Sequence, residues 1–476
     1  VSTPLPNILV IMADQMSAQA SSLYGNPLVP TPSLERLATG GVVYDCAYTP
    51  CPLCVPARIA TWTACHPSRT GCQTNQDSFP ENRPNPFSLW RDMGYRTALI
   101  GKDHCFTAAQ KQAFDEAFEV EHYGVPESAE AWQRDPDRAR AVHAANTMRR
   151  NMPATDAPYP HATTDHPEEH YATPAIAACT AEFIATSDRP FAAWVSFPDP
   201  HPPFEVARRW FDEARIDLSD LPKERPVDWG QMPERLRILH GMLAWPADAQ
   251  EDLAICVSIY FAMIRQVDHY LGRILDALED TGQADNTIVV FCADHGDFGG
   301  NFGMMSKGGG FPDCLARVPL VVRAPGILPA GTRAQQPVSL VDILPFLLSA
   351  QGTDPSILGA VDGLAEALIQ PFRTSVVSEY GAGGPLYRFE DYANDGAPAG
   401  IEAIKKTLLR REAEGERAMV RFGRFKFIDD PMGDLDELYD LETDPAETTN
   451  LAGKPEHRET RDIGRTHLKA WRRRNR

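Results

Sequence analysis

Asn7-Ile8-Leu9-Val10-Ile11-Met12-Ala13, followed at once by Asp14 and Gln15, is a short unbroken apolar run stopped by a carboxylate. A run with no period-two alternation buries both of its faces, as a strand of a parallel sheet does. The same grammar returns three times. Thr97-Ala98-Leu99-Ile100-Gly101 runs into Lys102-Asp103-His104, Phe191–Phe197 into Asp199-Pro200-His201, and Thr287–Ala293 into Asp294-His295. Helical patterns lie between them, at 174–186 and in the long amphipathic stretch 250–279. Alternating strand and helix predicts an α/β fold with a large, mainly parallel central sheet flanked by helices.

That architecture gives the polar residues one destination. In open α/β sheets a ligand sits beyond the carboxyl ends of the strands, where Asp14, Lys102, His104, His201, Asp294 and His295 would gather. Each alone reads as a helix cap, but four strands ending this way predict a common site. Asp14 and Asp294 offer hard oxygens for Ca2+, Mg2+ or Mn2+, Gln15 adds a neutral oxygen, and the softer His295 imidazole tilts the choice towards Mn2+. Such a cation polarises a sulfuryl or phosphoryl oxygen, and Arg58, Lys102 and Lys307 are the fixed charges expected to meet the equatorial oxygens. His201 and Lys307 are the candidates for general acid, and His104 for the base towards the nucleophile.

The nucleophile is read from Cys51-Pro52-Leu53-Cys54-Val55-Pro56-Ala57-Arg58, in which Cys54 opens a C-x-P-x-R motif. Pro56 suits the first turn of a helix, and helical spacing sets Arg58 one turn on, over the same face. Cys51 and Cys54 also make a C-x-x-C, but no second pair completes a zinc site and the context is not thioredoxin-like. Ten cysteines scattered along the chain point to a reducing cytoplasm, with Cys179, Cys256 and Cys292 read as buried core thiols.

A formal net charge of -19 and a pI near 5.1 argue against a nucleic-acid partner. No apolar stretch approaches the ~20 residues that span a bilayer, so no membrane segment is expected. The first six residues are too short and polar for a secretory signal, while a start at Val1 leaves a cleaved leader, and thus a periplasmic or secreted protein, open. At 476 residues the chain should divide, and the change of texture near Pro371 suggests a catalytic domain at 1–370 and a smaller α+β domain at 371–476. The latter is expected to hold an antiparallel sheet with strands at 375–380 and 419–428, the second half-exposed because Arg and Lys alternate with apolar residues. Its basic helical tail, 458–476, reads as a solvated helix end before a contact with another subunit. Between 121 and 170 the pattern fades, and a long loop over the site is expected, with His161, His166 and His170 solvated. Trp132, His143 and Asn146 lie where an aromatic cage for a quaternary ammonium group would be built, although a lone Trp in a polar loop is more often a packing anchor.

Taken together, these motifs resemble type I, formylglycine-dependent sulfatases of the alkaline phosphatase superfamily, nearest the branch that holds choline sulfatases and phosphonate monoester hydrolases. The resemblance rests on 7–15, on 54–58 with Pro67-Ser68-Arg69-Thr70-Gly71 after it, and on 101–104 and Pro200-His201-Pro202. It continues through 293–297, Lys307, Arg317-Val318-Pro319-Leu320-Val321 and 437–445. It implies an alkaline phosphatase-like fold and a sulfuric ester hydrolase acting on a small-molecule sulfate ester. It also implies that a formylglycine-generating enzyme converts Cys54 to formylglycine, whose hydrate attacks sulfur and whose second hydroxyl then expels sulfate. Asp14, Gln15, residue 54, Asp294 and His295 would hold one Ca2+ or Mn2+, and Asn75, Lys102, His201 and Lys307 would touch the sulfate group. Many arylsulfatases carry Asp, Ser and Asn where Gln15, Ala57 and His295 stand, so a phosphonate monoester or phosphate diester hydrolase is the alternative. A silent binding protein with unmodified Cys54 is a third reading. A homo-oligomer is expected.

Overall fold

The computed structural model describes residues 5–152, 158–221, 227–370, 372–397 and 415–474. Val1 to Pro4, Pro371 and Asn475 to Arg476, on which parts of the sequence reading fell, lie outside the described residues.

All four apolar runs form strands, and they are neighbours. An eight-stranded sheet runs, edge to edge, through Thr332–Ala334, Val42–Tyr44, Leu320–Arg323, Thr287–Ala293, Asn7–Ala13, Phe191–Phe197, Arg96–Gly101 and Glu116–Glu119. Asn7–Ala13 sits in the middle, parallel to Phe191–Phe197 on one side and Thr287–Ala293 on the other. Every residue of these three strands is buried, which is why they read as continuous apolar runs. Only Leu320–Arg323 runs against its neighbours. Helices flank the sheet. The 31-residue helix Gln250–Asp280 packs on Ala172–Ala185, Arg208–Ala214 and Pro32–Thr39. Trp194 of the sheet meets Trp62 edge-on at 5.3 Å, which seats the wholly buried helix Cys54–Thr63.

The C-terminal strands Ser375–Tyr380, Arg417–Phe422, Phe425–Asp429 and Glu437–Asp440 form a separate antiparallel sheet. Here two expectations change. The predicted strand 419–428 is a hairpin, turned at Gly423, whose φ of 49° is a conformation that costs glycine little. Neither face is open to water, either. Val376, Met419, Ile428 and Tyr439 join the main core, while Val377, Val420, Phe427 and Leu438 form a second core with Leu468 and Trp471. Lys426, on the first face, is fully buried because its ammonium is paired with Asp313 at 2.8 Å and Glu447 at 2.5 Å. The tail helix Arg458–Arg474 lies on this sheet, with Gly464 close enough to Phe427 that a Cβ there would sit 2.7 Å from its side chain.

The stretch 121–170 is more ordered than its sequence suggested. It contains the helix Pro136–Thr147, whose Asp135 accepts from the Arg138 amide and whose Pro136 opens the first turn. Trp132 packs edge-on to His143 at 5.3 Å, and Asn146 donates to the carbonyls of Val142 and His170. These three are packing anchors rather than walls of a cage. His161 is likewise not solvated, its ring lying 3.1 Å from Asp252 at 7% side-chain exposure. Cys179 is half-buried, accepting from Arg138 at 3.0 Å, rather than a core thiol. No helix among the described residues is long and apolar enough to cross a membrane.

Candidate active site

Strand ends bring the site together. Asp14 leaves the central strand with its amide bonded to the Phe197 carbonyl at 3.0 Å, and Gln15 follows at a φ of 70°. Lys102 follows its strand, Lys102 N–H donating to Ser196 O at 2.8 Å. That close approach requires Gly101, where a Cβ would lie 2.0 Å from the same carbonyl. Asp294 and His295 complete the row from the neighbouring strand, both with 0% exposure. Cys54, 1% exposed, opens its helix beneath them. Asn75 accepts from the Val55 amide at 3.0 Å, holding that helix start in place.

The atoms that face one another are Asp14 Oδ1, Asp294 Oδ1, His295 Nε2 and Cys54 Sγ. Cys54 Sγ is 3.1 Å from His295 Nε2 and 3.8 Å from Asp14 Oδ1. His295 Nε2 is 3.8 Å from Oδ1 of each aspartate. Its Nδ1 lies 2.9 Å from the Gly296 carbonyl, which can only accept, so Nδ1 carries hydrogen and Nε2 is turned to the cluster. The Oδ2 atoms turn the other way, to Arg58: Nη2 reaches Asp14 at 3.2 Å and Nε reaches Asp294 at 2.9 Å. Its remaining donors go to Ser196 Oγ at 2.9 Å and the carbonyls of Lys102 and Asp103. Arg58 was expected to meet the equatorial oxygens of a substrate. Its guanidinium is instead turned to the two carboxylates, Ser196 and the backbone.

Gln15 is fixed at both ends of its amide. Nε2 donates to Asp297 at 2.5 Å and Oε1 accepts from Lys307 Nζ at 2.5 Å. Lys102 Nζ donates to Asp14 Oδ2 and lies 2.7 Å from His122 Nε2. His122 stacks on His201, their ring centroids 3.8 Å apart. Sequence reasoning missed His122. Its signal was present but faint: it follows the short edge strand Glu116–Glu119, a fifth parallel strand whose half-exposed pattern hides the apolar run. His104 stands at a φ of 63°, its Nδ1 buried without a hydrogen-bond partner among the described residues.

Charge shapes these groups. Burial alone would raise the Asp14 carboxyl, but surrounding positive charge, led by Lys102 and including Arg58, outweighs it and holds it well below the usual carboxylate range. Burial and Asp14 push the Cys54 thiol up, and Lys307, His295 and Lys102 overcome them to bring it below its ordinary value. Burial opposes the Lys307 ammonium, yet Cys54, Asp14 and Asp294 raise it. His104, His122 and His201 are kept neutral, first by burial and then by neighbouring positive charge. Burial disfavours the His295 imidazolium as well, but Asp294 and the Cys54 sulfur raise it. Asp297 is pushed up to about 6 by burial, against donors from Gln15, Gly299 and Ser306.

The cluster fits a hard divalent cation. The ligand atoms of Asp14, Cys54, Asp294 and His295 all lie within 4.8 Å of one another. Ligands bound to one ion at ~2.1–2.6 Å stand at most about 5 Å apart, so all four can reach it. The facing oxygens, Asp14 Oδ1 and Asp294 Oδ1, stand beside the Cys54 sulfur and His295 Nε2, a donor set that a cation would satisfy, with release of any proton the sulfur or the ring nitrogen holds.

Comparison with known proteins agrees with this chemistry. The family model described as Sulfatase matches residues 6–353. A choline-sulfatase of Rhizobium meliloti (strain 1021) is 29% identical over 467 residues, covering 96% of this chain and 84% of that one. An arylsulfatase of Clostridium perfringens is 26% identical, covering 97% of this chain and 93% of its own. Among solved structures, the phosphonate monoester hydrolase of Agrobacterium radiobacter superposes with a TM-score of 0.80 at 25% identity, covering 99% of this chain and 96% of that one. The chain therefore belongs to the sulfatase family, ester-hydrolysing enzymes of the alkaline phosphatase superfamily.

Proposed function

We propose that the chain hydrolyses an organic sulfate monoester, with residue 54 as nucleophile after conversion of Cys54 to formylglycine. The observation that carries this reading is Cys54 Sγ itself, buried at the start of its helix between His295 Nε2 and Asp14 Oδ1. A hydrated aldehyde there supplies one hydroxyl to attack sulfur and a second to expel sulfate. Asp14, Gln15, residue 54, Asp294 and His295 would hold a divalent cation, Ca2+ or Mn2+, which when bound would supply Lewis-acid polarisation of a sulfuryl oxygen and favour ionisation of the hydroxyl on residue 54.

The remaining roles fall to side chains of this chain. Lys102 and Lys307 give fixed charge to the sulfuryl oxygens. Lys307 keeps its proton through its anionic neighbours, which suits it to the leaving oxygen. His201 is kept neutral by burial and by Lys307 and Lys102; an arriving sulfate anion offsets the lysines and lets its imidazole take a proton for the same task. His104, neutral and with an unpartnered nitrogen, suits the base role towards the second hydroxyl. Asn75 completes the sulfate contacts beside residue 54.

A second reading, phosphonate monoester or phosphate diester hydrolysis, is favoured by Gln15 and His295 and by the superposition on the Agrobacterium enzyme. We further take 1–370 as the catalytic unit, with 371–476 as an appended one.

Peptide mass spectrometry across residue 54, in protein matured with a formylglycine-generating enzyme, tests the nucleophile. A loss of about 18 Da from the cysteine peptide is expected, with Cys54→Ala lowering kcat by at least ~10³-fold on an aryl sulfate. An unmodified thiol in active protein sinks the formylglycine reading. Rates on matched sulfate, phosphonate and phosphate diester substrates decide between sulfur and phosphorus.

A further inference from the structure

Lys102 and His201 leave adjacent strands of the sheet, and a single side chain touches both. His122 Nε2 is 2.7 Å from Lys102 Nζ, and its ring stacks on His201 at 3.8 Å with the planes 19° apart. An ammonium has only donors, so His122 Nε2 is the acceptor of that bond. With one Lys102 hydrogen directed to Asp14 and one to His122, a single hydrogen remains for another oxygen. His201 is fixed in a similar way. Its Nδ1 lies 2.5 Å from the Pro202 carbonyl and its face is covered by His122, so Nε2 is the nitrogen left to meet a ligand.

We propose that His122 is a positioning residue that aims Lys102 at the sulfuryl oxygens and His201 at the leaving oxygen, through two separate contacts. The hydrogen bond serves Lys102, and the ring face serves His201. This rests on the roles given to those two residues above, and goes beyond them by assigning His122, from a different strand end, to both.

Two variants separate the contacts. His122→Phe keeps a ring against His201 and removes the acceptor; His122→Gln keeps an acceptor for Lys102 and removes the ring. Each is made in the full-length, matured, metal-loaded enzyme. Two readouts are taken: binding of inorganic sulfate by calorimetry, and kcat/KM over a series of aryl sulfates whose phenols differ in acidity. His122→Phe should weaken sulfate binding roughly tenfold and leave the dependence on leaving-group acidity as in the wild type. His122→Gln should bind sulfate as the wild type does, yet lose roughly ten- to a hundredfold on weakly acidic phenols and little on a nitrophenol, steepening the dependence. Equal losses on every substrate with unchanged sulfate binding, wild-type behaviour of both variants, or variants that move together would overturn the proposal. His201→Ala is the control. If it fails to steepen the dependence, the role given to His201 is wrong, and sulfate binding by His122→Phe still decides the Lys102 arm. A wild-type enzyme without turnover sinks the functional reading alone, since calorimetry needs none.

Discussion

Arg58 shows how spacing can set the place of a residue without naming the groups it meets. The C-x-P-x-R spacing places it beside residue 54, but spacing says nothing of which groups will claim five N–H donors. In the structure Nε and Nη2 draw the Oδ2 atoms of Asp14 and Asp294 to one side, which leaves both Oδ1 atoms facing Cys54 and His295. A lysine cannot reproduce that fork. Arg58→Lys is therefore expected to weaken divalent metal retention about 10- to 100-fold, read by metal content after dialysis against a graded chelator series. Retention at the wild-type level would show that the carboxylates need no fork. The residues most legible in the sequence were those that follow unbroken apolar runs, Asp14, Lys102, Asp294 and His295. His122 escaped because its edge strand Glu116–Glu119 keeps two residues partly exposed and so lacks an unbroken apolar run.

At the scale of elements, buried runs announced themselves and polar helices did not. Pro136–Thr147 reads Pro-Asp-Arg-Ala-Arg-Ala-Val-His-Ala-Ala-Asn-Thr, with buried residues only at Ala139, Val142, Ala145 and Asn146, too sparse a stripe for a clear period. Its Asp135-Pro136 start was the usable signal. One junction between elements has a pH signature. His66 precedes the short helix Pro67–Thr70; its amide donates to Asp362 at 2.9 Å, its Nδ1 is 3.5 Å from the same carboxylate, and its Nε2 is 3.3 Å from Val377 O in the C-terminal sheet. Burial would raise Asp362, but His66 and Arg69 lower it from 3.8 to about 2. Burial would lower His66, but Asp362 and Glu379 raise it above 6.5. A depressed acid stabilises the fold above its unfolded value and loses that contribution as pH falls. A raised histidine stabilises below its unfolded value and loses it as pH rises. The stabilisation is thus full between about pH 4 and 6.5 and declines on both sides. Denaturant midpoints of wild type and Asp362→Asn should differ most in that window, by about 1–2 kcal/mol. A difference that does not vary from pH 3 to 9 would contradict this assignment.

Over the whole molecule, the C-terminal sheet is tied to the site by one buried cation. Lys426 Nζ donates to Phe311 O at 2.6 Å and to Asp313, and pairs with Glu447, fastening the segment that follows Lys307. Asp313 also accepts from Tyr48, and Glu447 accepts from the Asp313 amide, so the latch is closed on all sides. Lys426→Met leaves two acids facing each other without their counter-charge. It is expected to cost about 3–5 kcal/mol and to lower kcat with it, and adding Glu447→Gln should recover part of the stability. Unchanged melting of the single variant would show the latch to be idle. The sequence hid this because alternating Lys and Arg ordinarily mark a wet face, and only the fold reveals acids waiting beneath. Burial also sets a schedule. Cys54 is 1% exposed in the folded chain. An enzyme that oxidises this thiol, as proposed above, is expected to meet it before the chain folds around it; a chain that closes too early locks its own reagent away unfinished.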